Sequence, residues 1–158
     1  MARTDLDPVE IRVAQNMVSV LAAVAAGDDY YHTIRHAELS KGGWFNPPVF
    51  TAAVVIPRGT PADPPGESLV DTAIFDVDYQ VVAVHEKRTE AAEWTARLYA
   101  DIHHALMVDV TRGDLAESTT PVNHELLIPV DDADQHSLVE ATFRVRFRTE
   151  QDDLTIAV

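Results

Sequence analysis

The chain has 158 residues, 46% of them hydrophobic and 24% charged, the make-up of a folded globular chain rather than a disordered or collagen-like one; one domain of this length buries roughly 70% of its unfolded surface around a single core. Zero cysteines exclude disulfides and every thiolate metal site. A formal net charge of −14 disfavours a surface built to grip nucleic-acid phosphates, because that grip rests on Lys and Arg.

No stretch reaches the ~18 consecutive apolar residues of a membrane helix, and the best run, Met17–Ala26, is short and alanine-rich. The start, MARTDLDPVE, lacks the order of a secretory signal, so synthesis in the cytosol is expected. Asp7-Pro8-Val9-Glu10 reads as a helix start, with Asp7 as cap, Pro8 in the first helical position and Glu10 reaching back. Val9, Val13, Met17, Val20, Leu21 and Val24 mark one apolar face, and Gly27 closes the helix. The aromatic and β-branched alternation of YYHTIRHAEL predicts a strand over Tyr30–Leu39.

Lys41–Pro48, KGGWFNPP, is a turn-rich loop in which Trp44 and Phe45 either fold back under the core or face a partner. Val49–Ile56 reads as a short buried strand. Pro57–Gly66 holds four prolines and reads as a long projecting loop, extending to about residue 70. From Thr72 to Val84 the pattern has period two, with Ala73, Phe75, Val77, Tyr79, Val81 and Ala83 on one side and Asp76, Asp78 and Gln80 on the other.

The surest helix lies between Thr89 and Arg112-Gly113. Its stripe is Ala91, Trp94, Leu98, Ile102, Ala105 and Leu106; Thr89 caps it, and Glu90 and Glu93 suit its first turn. Arg112-Gly113 ends it, through a basic side chain at the negative helix end and a residue tolerant of positive φ. Glu117–Pro121 then leads into a strand over Val122–Val130, with Pro129 marking an edge or a strand end, and Asp131–His136 is an acidic turn.

The last long strand, Leu138–Arg148, turns Val139, Ala141, Phe143, Val145 and Phe147 inward and Glu140, Thr142, Arg144, Arg146 and Arg148 outward. Its outer face carries three of the 12 basic residues, and Asp76 and Asp78 are the matching counter-charges, which predicts that the two long strands are neighbours. The tail 149–158 ends apolar, so Leu154–Val158 either adds a short strand to a neighbour or frays. The order α-β-β-β-α-β-β predicts a single α+β domain over 1–158: a mostly antiparallel sheet of about five strands with two helices packed on one face.

Chemical motifs are scarce. Of the seven histidines, His32 and His36 come close enough to share a ligand only in a helix, since a strand holds residues four apart about 13 Å from each other, and the neighbours His103 and His104 point about 100 degrees apart; there is no HExxH, and no metal or other cofactor is expected. The paired aspartates fall in turns or the tail, where turn chemistry favours them. GxSxG, P-loop and GxGxxG motifs are absent, so no catalytic residue is assigned and no enzyme is indicated. An anionic ligand on the arginine face, with His103 or His104 assisting, stays open as the reading of a small α+β binding module or enzyme.

Three stretches carry a family resemblance: YQVVAVHEK from Tyr79, ADIHHALMVDVTRGDLA from Ala100 and FRVRFRTEQDDL from Phe143. They resemble the tail-terminator or tail-completion proteins of long-tailed bacteriophages and prophages, whose pattern is a helix finishing in "DIHxALM.D.T.GGLA" and a closing "F.VRYRT...D" strand. Asp114 stands where that family's second glycine is usual, and the proline loop has no fixed counterpart. The resemblance implies an α+β protomer that forms a hexameric ring in the virion, at the head-proximal end of the tail. The ring caps the tail tube, ends its polymerisation and joins it to the head-side connector, while DNA passes through without specific binding. A negative lumen suits that passage. A neck stopper, a tube subunit or another tail-completion protein shares the layout, so those readings stay open. Rings need heterologous contacts, for which the two loops are the candidates, through Trp44, Phe45, Arg58, Asp63 and Glu67; Asp76, Asp78, Arg144, Arg146 and Arg148 form the candidate charged face.

Overall fold

The computed structural model describes residues 7–43, 45–59, 72–86, 89–128, 136–150 and 153–158. In chain order they form α1 (Val9–Ala22), β1 (His36–Leu39), β2 (Ala52–Pro57), β3 (Thr72–His85), α2 (Ala91–Val108), β4 (Ser118–Leu127), β5 (Ser137–Glu150) and β6 (Asp153–Ala157). The sheet runs β1-β2-β3-β5-β4, with β6 also paired to β5. All its pairings are antiparallel except β1 with β2. This is the expected α+β class, with six strands in place of about five; the sixth is the apolar tail.

Period two in the sequence becomes two chemically different sheet faces. β3 and β5 pair without interruption from Thr72↔Glu150 to His85↔Ser137. Val77, Tyr79, Val81 and Ala83 of β3 and Val139, Ala141, Phe143, Val145 and Phe147 of β5 are buried on the helix side. Against them lie Val9, Val13, Met17 and Leu21 of α1 and Leu98, Ile102, Ala105 and Leu106 of α2, in one continuous core. Each of these larger side chains contributes roughly 1.5–3 kcal/mol by leaving water. Tyr79 is wholly buried, and its hydroxyl donates to the Glu10 carbonyl at 2.9 Å, which ties α1 to the sheet centre.

Several boundaries differ from the sequence expectation, each for a physical reason. Asp7 does not cap α1: Pro8 is the cap residue, its carbonyl accepts from the Ile11 and Arg12 amides, and the Asp7 carboxylate accepts from Gln15 Nε2 at 2.9 Å. The helix stops at Ala22, before Gly27, because the Ala23 and Val24 amides tighten onto the Val20 and Leu21 carbonyls. Thr89 gives way to Glu90 as the cap of α2, at φ 57 and without a side-chain cap, and the helix ends at Val108 ahead of Arg112. Trp94 of the predicted stripe is half-buried, while Thr95 and Asp101 are buried.

Of the strand predicted over Tyr30–Leu39 only His36–Leu39 forms, because the Tyr31 and His32 amides are bound by Asp101 instead of a ladder. β2 begins at Ala52, three residues after Val49. β4 begins at Ser118 and takes Pro121 inside it, which is possible because β4 is a sheet edge and its register shifts between Pro121 and Asn123. Pro129, most of the acidic turn and the proline loop beyond Gly59 lie outside the described residues.

Candidate functional site

The helix-free face of the sheet carries the charges that the sequence singles out. Asp76 faces Arg146 and Asp78 faces Arg144 across the β3–β5 ladder. Both contacts are two-pronged: Arg144 donates to Asp78 at 2.7 and 3.0 Å, and Arg146 to Asp76 at 2.8 and 2.9 Å. Hydrogen bonding from Arg146 holds the Asp76 carboxyl below its ordinary range, and Asp76 in turn raises the Arg146 guanidinium. Arg148 pairs with Glu117, just before β4, rather than with an aspartate. The five residues therefore form one charged face, but its arginines already hold carboxylates. This weighs against the anionic-ligand reading.

The contact-loop candidates divide. Phe45 is half-buried and lines a groove of about 460 Å³ on this same open face, not the main core. Residues 40–43 and 45–46 also line it, and there Gly42 and Gly43 take φ of 83 and 79, the left-handed region that suits glycine. Val54, Ile56, Val82, Val84 and Leu138 line it, with Lys41, Arg58, Glu38 and Glu140 among its polar residues. Arg58 is exposed and donates to the Gln80 side chain, while its amide binds the Asp78 carbonyl at 2.7 Å. Trp44, Asp63 and Glu67 lie outside the described residues.

Two polar arrangements built on Asp101 and Asp109 were not anticipated. Asp101, 2% exposed, accepts from the Tyr31 amide at 3.0 Å, the His32 amide at 2.8 Å and His32 Nδ1 at 2.8 Å. A carboxylate only accepts, so Nδ1 carries the hydrogen. His32 meets the edge of Trp94 at 4.7 Å and lines a cleft of about 300 Å³ with Tyr31, Arg35, His85 and Glu86. Asp101 orients the ring as a catalytic carboxylate would, but its three bonds also fasten the 31–32 backbone to α2. The available signal was Asp101 itself, a carboxylate on the buried stripe between Leu98 and Ile102.

The second arrangement closes α2. Asp109 accepts from the Thr111 hydroxyl at 2.7 Å, the Thr111 amide at 3.0 Å and the Gly113 amide at 2.7 Å. These bonds, the Thr111 hydroxyl first, hold the Asp109 carboxyl below its ordinary range. Arg112, at φ 53, is wholly buried and donates to the Leu106 carbonyl, and burial lowers its guanidinium. It thus serves the helix end as expected, but from beyond the last turn. Asp114 adopts φ 65, the conformation a glycine would take there.

His103 and His104 separate as helix geometry requires, His103 toward Tyr99 and His104 edge-on to Tyr30. Among the described residues no three His, Asp or Glu side chains come together as a metal would need, and no helix is long and apolar enough to cross a membrane. Several exposed apolar residues lie on the outer side of β5, Val122 and Leu127 on β4, Leu154 and Ile156 on β6 and Val158 just past it, while Tyr31, Val108 and Val110 are exposed elsewhere. No protein-family profile matches the chain, and a search of curated proteins likewise returns no match.

Proposed function

We propose that the chain is a structural virion protein that closes a phage tail tube as a ring, ends tube polymerisation and joins the tail to the head-side neck. The observation that carries this reading is the use the fold makes of the phrase ADIHHALMVDVTRGDLA. Asp101 anchors the 31–32 backbone, Ala105 and Leu106 are core, Asp109, Thr111 and Gly113 build the turn, and Leu115 and Ala116 pack against the core. Asp114 supplies the glycine-like φ that the family's phrase calls for. The phrase is a structural joint between α2 and β4, as in a protein whose work is done by its surfaces.

Those surfaces are an acidic exterior, a sheet face free of helices and an apolar outer edge. The charge of −14 keeps passing DNA from adhering, and heterologous contacts close into a ring when the rotation permits. Light scattering across a concentration series, with and without purified tail tubes, tests the reading. The expected result is a particle of about six copies, formed alone or on tubes. A chain that stays single in both conditions, and gains thermal stability from a small anion, would overturn it.

A further inference from the structure

Three segments meet at one end of the sheet, in the cleft that His32 lines. The ladders place His36 beside Ala52 and Ala52 beside Val84, so residues 35, 51 and 85 follow side by side where β1 and β2 begin and β3 ends. The Arg35 amide donates to the Thr51 carbonyl at 2.8 Å there, and Trp94 reaches the cleft from the start of α2. A volume of about 300 Å³ is at the lower end of what small ligands occupy.

The imidazole in this wall has one nitrogen engaged and one idle. His32 is 4% exposed; its Nδ1 donates to Asp101 at 2.8 Å, while its Nε2 is buried with no hydrogen-bond partner among the described residues. With the hydrogen held at Nδ1, a neutral ring presents Nε2 as a lone pair, which calls for a donor. A lone pair kept from water without a partner is costly, and a donor brought to it recovers that cost. Arg35 and Glu86, both exposed, line the same cleft, and neither is in an ion pair among the described residues. Phe50 and Trp94, each half-buried, add aromatic surface.

We propose that this cleft binds a free amino acid with an apolar side chain. Its ammonium donates to His32 Nε2 and answers Glu86, its carboxylate takes Arg35, and its side chain lies against Phe50 and Trp94. Two acceptors, one cation and an aromatic wall complement a zwitterion better than an ion of either sign. A plain anion would meet Glu86 and the repulsion of a chain of net charge −14; a plain amine would bring nothing to Arg35. Trp94 stands on the His32 ring at 4.7 Å between centroids, so an ammonium that reaches Nε2 shifts the indole and registers in its emission. The site neither needs nor excludes the tube-closing ring.

Titration of the purified full chain with L-phenylalanine, 2-phenylethylamine and 3-phenylpropionate, followed by tryptophan emission and by calorimetry, tests the site. Saturable binding is expected, tightest for the amino acid, then the amine, then the acid. The emission change should survive Trp44→Phe, which leaves Trp94 as the one remaining tryptophan of two. His32→Asn keeps a donor where Nδ1 stood but has no atom at Nε2, so it should weaken L-phenylalanine about tenfold or more, with circular dichroism unchanged. At the exposed positions, Arg35→Ala should erase the advantage of the amino acid over the amine, and Glu86→Gln should narrow its advantage over the acid; these two decide if His32→Asn does not fold. No saturable signal from L-phenylalanine, tightest binding by 3-phenylpropionate, or unchanged affinity in the variants would overturn the site. The solution mass that tests the ring is read apart from these titrations, so failure of either reading leaves the other in place.

Discussion

The two faces of one sheet use the same strands in opposite ways. On the helix side every second residue of β5 is buried against α1, α2 or both; on the other side Arg144 and Arg146 are 42% and 46% exposed and answer Asp78 and Asp76. One face fixes the fold. The other can be changed with little loss of stability and is therefore where a surface function can reside.

The largest effect should come from the helix side: Phe143→Ala removes a wholly buried ring and is expected to cost about 3–5 kcal/mol, measured as a lower urea midpoint with the slope unchanged. Asp101→Ala comes next, at about 3 kcal/mol, because three donors of Tyr31 and His32 lose their acceptor in a buried place. Faster amide exchange at Tyr31 and His32 would identify that cause, and unchanged exchange would refute it. Asp109→Ala, which frees two amides and a hydroxyl at the end of α2, should cost about 1–2 kcal/mol.

Crossing to the open face should shrink the effects. Asp76→Asn is expected to cost under about 1 kcal/mol, since Arg146 is half in water. The sign of its pH dependence is fixed. The folded pKa of Asp76 lies below the ordinary 3.8, so the folded state binds fewer protons than the unfolded state in acid. Its contribution is then complete above about pH 4 and fades as pH falls toward the lowered folded value. Denaturant midpoints in Asp76→Asn should therefore fall less steeply in acid than in the native chain. Smallest of all, Ile156→Lys, at a side chain already 39% exposed, should change stability by no more than about 0.5 kcal/mol. A large destabilisation there would erase the contrast between the faces.

Much of this was legible in the sequence. Period-two alternation in Thr72–Val84 and Leu138–Arg148 predicts two long strands as neighbours, and Asp76↔Arg146 and Asp78↔Arg144 are the pairs that form. The stripes of both helices read equally well, because each turns one face to a single core. What escaped were residues whose state is set from far along the chain. Tyr31 and His32 alternate like a strand, but Asp101 on α2 takes their amides. Pro121 looks like a barrier until β4 proves to be an edge. Of the contact-loop candidates, Phe45 and Arg58 meet at the open-face groove, a juxtaposition made by the sheet and invisible to local pattern.

The strand order has a consequence for the birth of the molecule. β5 lies between β3 and β4 and pairs with β6 as well, yet it follows both helices and four other strands in chain order. Until Ser137–Glu150 emerges, β3 and β4 lack the partner that joins them, and half of the inner face of the core is still to be translated. Domains dominated by such long-range pairings fold slowly and expose strand edges while they wait. The nascent chain should then hold its two helices and a β1–β2–β3 sheet as a sticky intermediate, and the closing step should wait for β5.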